Sequence, residues 1–156
     1  MQLRDATVLV LEDGDEYLDN LSRFVPGPRY VQAHDGGSAL ALLQAGPVHL
    51  VYLDMRFDRI ARDRLLGDID AATRDHGGDV ERAWRSLANH QGLYLLAALR
   101  EAGWATLPVL LAYDFSREPA RVAFLQKQHP ALAWLPDAVT PDEIRLRIGS
   151  LLARGG

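Results

Sequence analysis

The feature that most constrains this chain is a series of short apolar runs, each too short for a globular helix and each separated from the next by turn signals and helical periodicity. Thr7-Val8-Leu9-Val10-Leu11 is closed by Glu12-Asp13-Gly14, and the weaker run Tyr30-Val31-Gln32-Ala33 follows Pro26-Gly27-Pro28. Val51-Tyr52-Leu53-Asp54-Met55 begins after a turn at Ala45-Gly46-Pro47 and carries a single carboxylate near its end. Leu107-Pro108-Val109-Leu110-Leu111-Ala112-Tyr113 and Ala131-Leu132-Ala133-Trp134-Leu135 complete the series. Continuous runs of this length read as strands buried on both faces, because a half-buried strand would alternate apolar with polar residues.

The segments between the runs read as helices. Tyr17, Leu18, Leu21, Phe24 and Val25 recur at helical spacing, and Leu40, Leu42 and Leu43 mark a second helix from Ser38 to Gln44, with Gly36 and Gly37 as turn and cap glycines. A helix-length stretch spans 118–128. The last helix has the clearest start: Thr140 as N-cap, Pro141 at the first helical position and Glu143 completing a capping box, before the stripe Ile144, Ile148, Leu151, Leu152. Strands alternating with helices predict an α/β, flavodoxin-like, doubly wound five-stranded parallel sheet, order 2-1-3-4-5, with right-handed crossovers. Such sheets gather their chemistry at the carboxyl ends of the strands, where Glu12, Asp13 and Asp54 fall.

With 156 residues the chain has material for one core, so a single domain over 1–156 is expected. It contains no cysteine, which excludes disulfides and thiolate metal sites and is compatible with a cytoplasmic location. A net charge of −4 without a basic stripe argues against direct nucleic-acid binding. No apolar segment reaches membrane-spanning length, and the N-terminus lacks the apolar core of a secretion signal, so no membrane contact is expected. The histidines His34, His49, His76, His90 and His129 show no metal-ligand spacing.

Residues 56–91 break the rhythm, being far longer than a usual connection. Leu65, Leu66, Ile69, Val80, Ala83, Trp84 and Leu87 give this insertion an apolar content unlike that of a linker. The pattern predicts a short helix near 62–74, a turn at His76-Gly77-Gly78, and a second helix from about Val80, capped by Asp79 and running on into 93–99. Arg56, Arg59, Arg62 and Arg64, interleaved with Asp58, Asp63, Asp68 and Asp70, predict a solvated, charge-balanced face. The alternative is that one arginine folds back beside Asp54 to meet phosphate oxygens. Trp84 is expected to pack onto the domain rather than face a partner.

The acidic pair Glu12-Asp13, the segment Asp35-Gly36-Gly37-Ser38-Ala39-Leu40, the run His49-Leu50-Val51-Tyr52-Leu53-Asp54-Met55, the start Gly92-Leu93-Tyr94-Leu95-Leu96 and Leu107-Pro108-Val109-Leu110-Leu111 together resemble the receiver domain of two-component response regulators, of the chemotaxis-regulator kind. The resemblance implies that Asp54 is the phosphoacceptor position. It also implies that Glu12, Asp13, Asp54 and the backbone carbonyl of Arg56 hold Mg²⁺, the one cofactor expected, and that the partner is a histidine kinase or a downstream effector. Oxygen ligands of this kind suit a hard divalent cation. Two switch positions depart from the family: Tyr113 stands where receivers carry Ser or Thr, and Leu135, before Pro136, stands where they carry Lys. Leu132 takes the aromatic position, and Asp114 is expected to add a negative charge at the pocket mouth. The resemblance therefore implies an atypical receiver, a pseudo-receiver that is not an enzyme and works by protein–protein interaction, through the insertion or through the face formed by the last two helices and strand five. A working phosphoacceptor with a rearranged, Mg²⁺-dependent pocket is the alternative, and a metal-dependent phosphohydrolase using Glu12, Asp13, Asp54 and Asp114 is a minor one.

Overall fold

The computed structural model describes residues 1–155. Strands β1 (Thr7–Leu11), β2 (Arg29–Ala33), β3 (Leu50–Asp54), β4 (Val109–Ala112) and β5 (Leu132–Trp134) form one sheet in the order β2-β1-β3-β4-β5, and every pairing is parallel. Leu11 pairs with both Ala33 and Leu53, and Asp54 pairs with Ala112, so the residues that follow β1 emerge beside Asp54.

Alternation along the strands divides the core in two. On one face Val8, Val10, Leu50, Tyr52 and Leu110 meet Leu21 of α1 (Glu16–Phe24) and Ile148, Leu151 and Leu152 of α7 (Pro141–Gly155). On the other, Leu9, Leu11, Val51, Leu53 and Leu111 meet Ala39 and Leu43 of α2 (Gly36–Ala45), Leu95, Leu96 and Leu99 of α5 (Gln91–Glu101) and Val122 of α6 (Pro119–Gln128). Each leucine buried this way contributes about 1.5–3 kcal/mol. The last helix starts as its sequence predicts: Thr140 N–H donates to Glu143 Oε2 at 2.9 Å and Glu143 N–H to Thr140 Oγ1 at 3.2 Å. Among the described residues no helix is long and apolar enough to cross a membrane.

The glycines Gly36 and Gly37 lie inside the first turn of α2 rather than before it, because Asp35 is the N-cap and accepts from Ser38 N–H at 2.7 Å. A Cβ on Gly36 would lie 2.8 Å from Leu66 Cδ1, so this glycine is what lets the insertion approach α2.

The insertion falls between β3 and α5, but its helices differ from the expected ones. Of the segment 62–74 only a 3-10 turn at Arg62–Arg64 and the helix α3 (Ile69–Asp75) form. Gly67 separates them at φ +115°, and Asp68 caps α3 by accepting from Asp70 and Ala71 N–H. Helix α4 (Val80–Asn89) is capped by Asp79 as expected, but it does not continue into α5: the chain breaks at His90. The break brings Gly92 against the end of β3, where its N–H donates to Met55 O at 2.9 Å and an added Cβ would lie 2.7 Å from Asp54 O. Helices α3 and α4 close around Ala72, Ala83 and Leu87, with Trp84 packed against them and Arg62 over its ring at 5.6 Å. Gln91, 1% exposed, bolts the insertion to this hairpin: Oε1 accepts from Leu66 N–H at 2.7 Å, while Nε2 donates to Leu66 O at 3.0 Å and Leu87 O at 3.1 Å.

Candidate functional site: the carboxyl edge of the sheet

At the β1 and β3 ends, three carboxylates meet the first residues of the insertion. Asp54 Oδ1 accepts from Met55 N–H at 2.8 Å and, more weakly, from Tyr17 OH at 3.5 Å. Burial pushes the Asp54 carboxyl up to about 6; the Met55 amide opposes that rise and the negative charge of Asp13 adds to it. Glu12, 1% exposed, accepts from the N–H groups of Tyr17 at 3.1 Å and Leu18 at 3.0 Å and from Gln32 Nε2 at 3.3 Å. It therefore serves the open amino end of α1, with burial raising its carboxyl and the two amides pulling it back down.

Asp13 is held by the insertion. Its Oδ2 accepts from Asp58 N–H at 3.0 Å and Arg59 N–H at 3.1 Å, and its Oδ1 from Arg59 Nη2 at 3.1 Å. Burial acts to raise this carboxyl, but the Arg59 hydrogen bonds and charge outweigh it and hold it below the usual carboxylate range. The same guanidinium grips Glu16 at 2.6 and 2.9 Å and draws it down to about 2. Farther along, Arg64 pairs with the α2 cap Asp35, and Arg62 forks onto Glu81. Three of the four arginines expected to line a solvated face are thus committed to particular acids, and Arg59 folds back to Asp13 rather than to the phosphate side of Asp54. Residues 56–66 form a strap across the ends of β1 and β2.

This arrangement does not fit the expected Mg²⁺ set. Both oxygens of Glu12 are engaged by donors at the start of α1 and from β2, and both oxygens of Asp13 by the strap. Among the described residues no three His, Asp or Glu side chains gather as metal ligands. Glu12, Asp13, Asp54 and the Arg56 carbonyl therefore do not form a divalent-ion site as they stand.

The β4 and β5 ends carry Tyr113 and Leu135, with Asp114 and Asp137 in the loops that follow. Tyr113 swings outward, its hydroxyl donating to Glu118 Oε2 at 2.6 Å and its ring meeting Phe115 edge-on at 4.7 Å. Leu135 is 3% exposed and packs with Val8, Val10 and Leu110, while Leu132 lies in the opposite core. Asp114 is not a pocket acid: it accepts from Ser116 N–H at 2.8 Å and Asp137 N–H at 3.1 Å, tying the loops after β4 and β5 together. Between the two edges lies a cleft of about 130 Å³ walled by Tyr17, Tyr52, Ala112, Tyr113, Leu135 and Asp137.

Strand order, edge and helix placement together match solved receivers. The receiver domain of the Francisella response regulator 1452 aligns with a TM-score of 0.63 at 18% identity, over 97% of this chain and 99% of that one. The receiver domain of NtrX from Brucella abortus aligns at 0.61 and 18%, over 94% and 98%. The fold is that of a response regulator receiver domain. The Vibrio cholerae chemotaxis protein CheY4 aligns at 0.59 and 16%, over 94% and 98%, and a longer NtrX chain matches over 27% of its length. No protein-family model and no curated protein matches the chain.

Asp54 is the last residue of the central strand β3, and Tyr113 and Leu135 directly follow β4 and β5. Three residues of the edge escaped the sequence reading. Tyr17 was legible only as part of an apolar stripe, although the first turn of a helix after β1 must face the strand ends. Phe57, fully buried with its N–H on Ala88 O at 2.8 Å, pins the start of the strap. Gln91 interrupts the i, i+4 series Leu87, Gln91, Leu95, and a polar residue on a buried stripe is the signal that could have marked it.

Proposed function

We propose that this chain is a receiver-like signalling module of the pseudo-receiver type, acting through protein–protein contact rather than through an Asp54 phosphoswitch. One observation carries the reading: the pocket acid Asp13 is taken up by Arg59 of the insertion, while Leu135 leaves the edge with no ammonium to receive a phosphoryl group. A phosphoryl dianion on Asp54 would face Glu12 and Asp13 with no lysine at the Leu135 position to offset it, and the nearby Arg59 guanidinium is already engaged by Asp13 and Glu16; transfer chemistry of this kind depends on charge compensation. The Tyr113 hydroxyl is engaged by Glu118, while its ring walls the cleft. The insertion supplies the module's distinctive surface, and a histidine kinase or a downstream effector is the kind of partner proposed for it.

The test is incubation with acetyl phosphate and Mg²⁺, followed by intact-mass measurement. The expected result is no phosphoryl incorporation; stoichiometric modification that Asp54→Asn abolishes would overturn the reading. A working phosphoacceptor is favoured by one feature, the partly exposed Asp54 carboxyl at the strand end. Trp134 meets Phe115 at 6.1 Å, beside Tyr113, so its fluorescence reports on that alternative. A change on adding beryllofluoride in saturating Mg²⁺ would support it.

A further inference from the structure

We propose that Arg59 is the resident cation of this pocket, so that seating of the strap and binding of a divalent ion compete for Asp13. The inference deepens the pseudo-receiver reading and rests on it, but it concerns the counter-ion rather than the phosphoryl group.

Three observations converge. Asp13 Oδ2 is filled by the Asp58 and Arg59 amides and Oδ1 carries the guanidinium, so a hard cation approaching the remaining lone pair of Oδ1 would meet the Arg59 charge. Glu16 holds the other side of the same guanidinium, fixing the fork in place. Gly14 lies directly beneath it, and a Cβ at that position would collide with the Arg59 guanidinium and with the Glu16 carboxylate, so the absence of a side chain at Gly14 is what gives the arginine its seat. Because Arg59 follows β3 by a few residues and the strap is pinned at Phe57, its effective concentration at Asp13 is that of a tethered ligand, which a free ion must outcompete. Displacing the guanidinium would free Asp13 Oδ1, while the Asp58 and Arg59 amides hold Oδ2 separately.

The experiment is Mn²⁺ titration of the full chain followed by electron paramagnetic resonance, on the unmodified protein, Arg59→Ala, Arg59→Gln and the double variant Arg59→Ala/Asp13→Asn. Arg59 is half exposed, so the single variants are expected to fold, and Arg59→Gln retains a side chain over Gly14 if Arg59→Ala does not. The expected result is that removing Arg59 tightens Mn²⁺ binding by about tenfold or more and that Asp13→Asn cancels the gain. Equal affinity with and without Arg59, whether measurable or not, overturns the inference, as does a gain that survives Asp13→Asn. Phosphoryl incorporation at Asp54 would sink the pseudo-receiver reading without touching this comparison, so the two failures are distinguishable.

Discussion

The two halves of the sheet's carboxyl edge differ in what became of their charge. Where β1 and β3 end, Glu12, Asp13 and Asp54 persist, and each is answered from within the chain: by the amides of α1, by Arg59 and by the Met55 amide. Where β4 and β5 end, the cleft is walled by Ala112, Tyr113, Leu135 and Asp137; Leu135 is core, the Tyr113 hydroxyl is held by Glu118, and Asp114 staples two loops. In the first half the carboxylates meet donors of the chain itself, and in the second Leu135 is part of the packing. Strand-end position is set by the sheet and pocket chemistry by a few side chains, so the receiver fold alone does not fix what happens at Asp54.

The contrast is most sharply broken by substitutions that test each half as packing or as chemistry. Leu135→Ala should destabilise by about 2–5 kcal/mol, read by urea unfolding, because Leu135 is 3% exposed and packs beneath Ile148 and Leu151. A loss within the range of an exposed substitution would mean that the β5 end is not core.

Asp54→Asn should act in the opposite direction. The Asp54 carboxyl is raised from 3.8 to about 6 on folding, so the native state binds the extra proton, and the residue's contribution to stability is greatest below pH 4 and is lost as pH rises through about 6. Above that pH the ionised carboxylate costs up to about 3 kcal/mol, and the amide variant should recover much of it. Thermal melts at pH 8 should place the variant above the parent, with the difference vanishing near pH 4. A destabilised variant at pH 8 would show that the carboxylate is better compensated than its surroundings indicate.

Gly92→Ala should cost about 1–3 kcal/mol, since the new methyl would press on Asp54 O at 2.7 Å and on Met55 Cα at 2.9 Å, both backbone atoms. It should also disturb Asp54 itself, which a shift of the pH at which the melting curve inflects would reveal. The smallest effect is expected from Tyr113→Phe, within about 1 kcal/mol, because the lost hydrogen bond to Glu118 is near the surface. A large change in stability or in ligand response would return Tyr113 to the pocket.

The frame was legible in the sequence because its signals are local. Apolar runs such as Val51 to Leu53, the cap at Thr140 and the Asp79 start of α4 depend on residues a few positions apart. The parallel sheet followed from strands alternating with helices and from the rule for right-handed crossovers, and its order from the flavodoxin-like frame. That Tyr113 and Leu135 stand at switch positions is what the receiver resemblance implies; local signals alone do not single them out. The strap was not: Arg59 and Asp13 are 46 positions apart, and nothing local distinguishes Arg59 from the other arginines and aspartates around it. The break at His90 escaped notice because helical periodicity continues across it, whereas the reason for it is a tertiary approach of Gly92 to the end of β3.

If the proposed pseudo-receiver reading holds, events at Asp54 do not reach the ends of β4 and β5. Amide chemical shifts of the full chain, recorded with and without beryllofluoride in saturating Mg²⁺, read this: amides of residues 109–114 and 132–137 are expected to keep their positions. A concerted shift across both segments, abolished by Asp54→Asn, would overturn the pseudo-receiver reading.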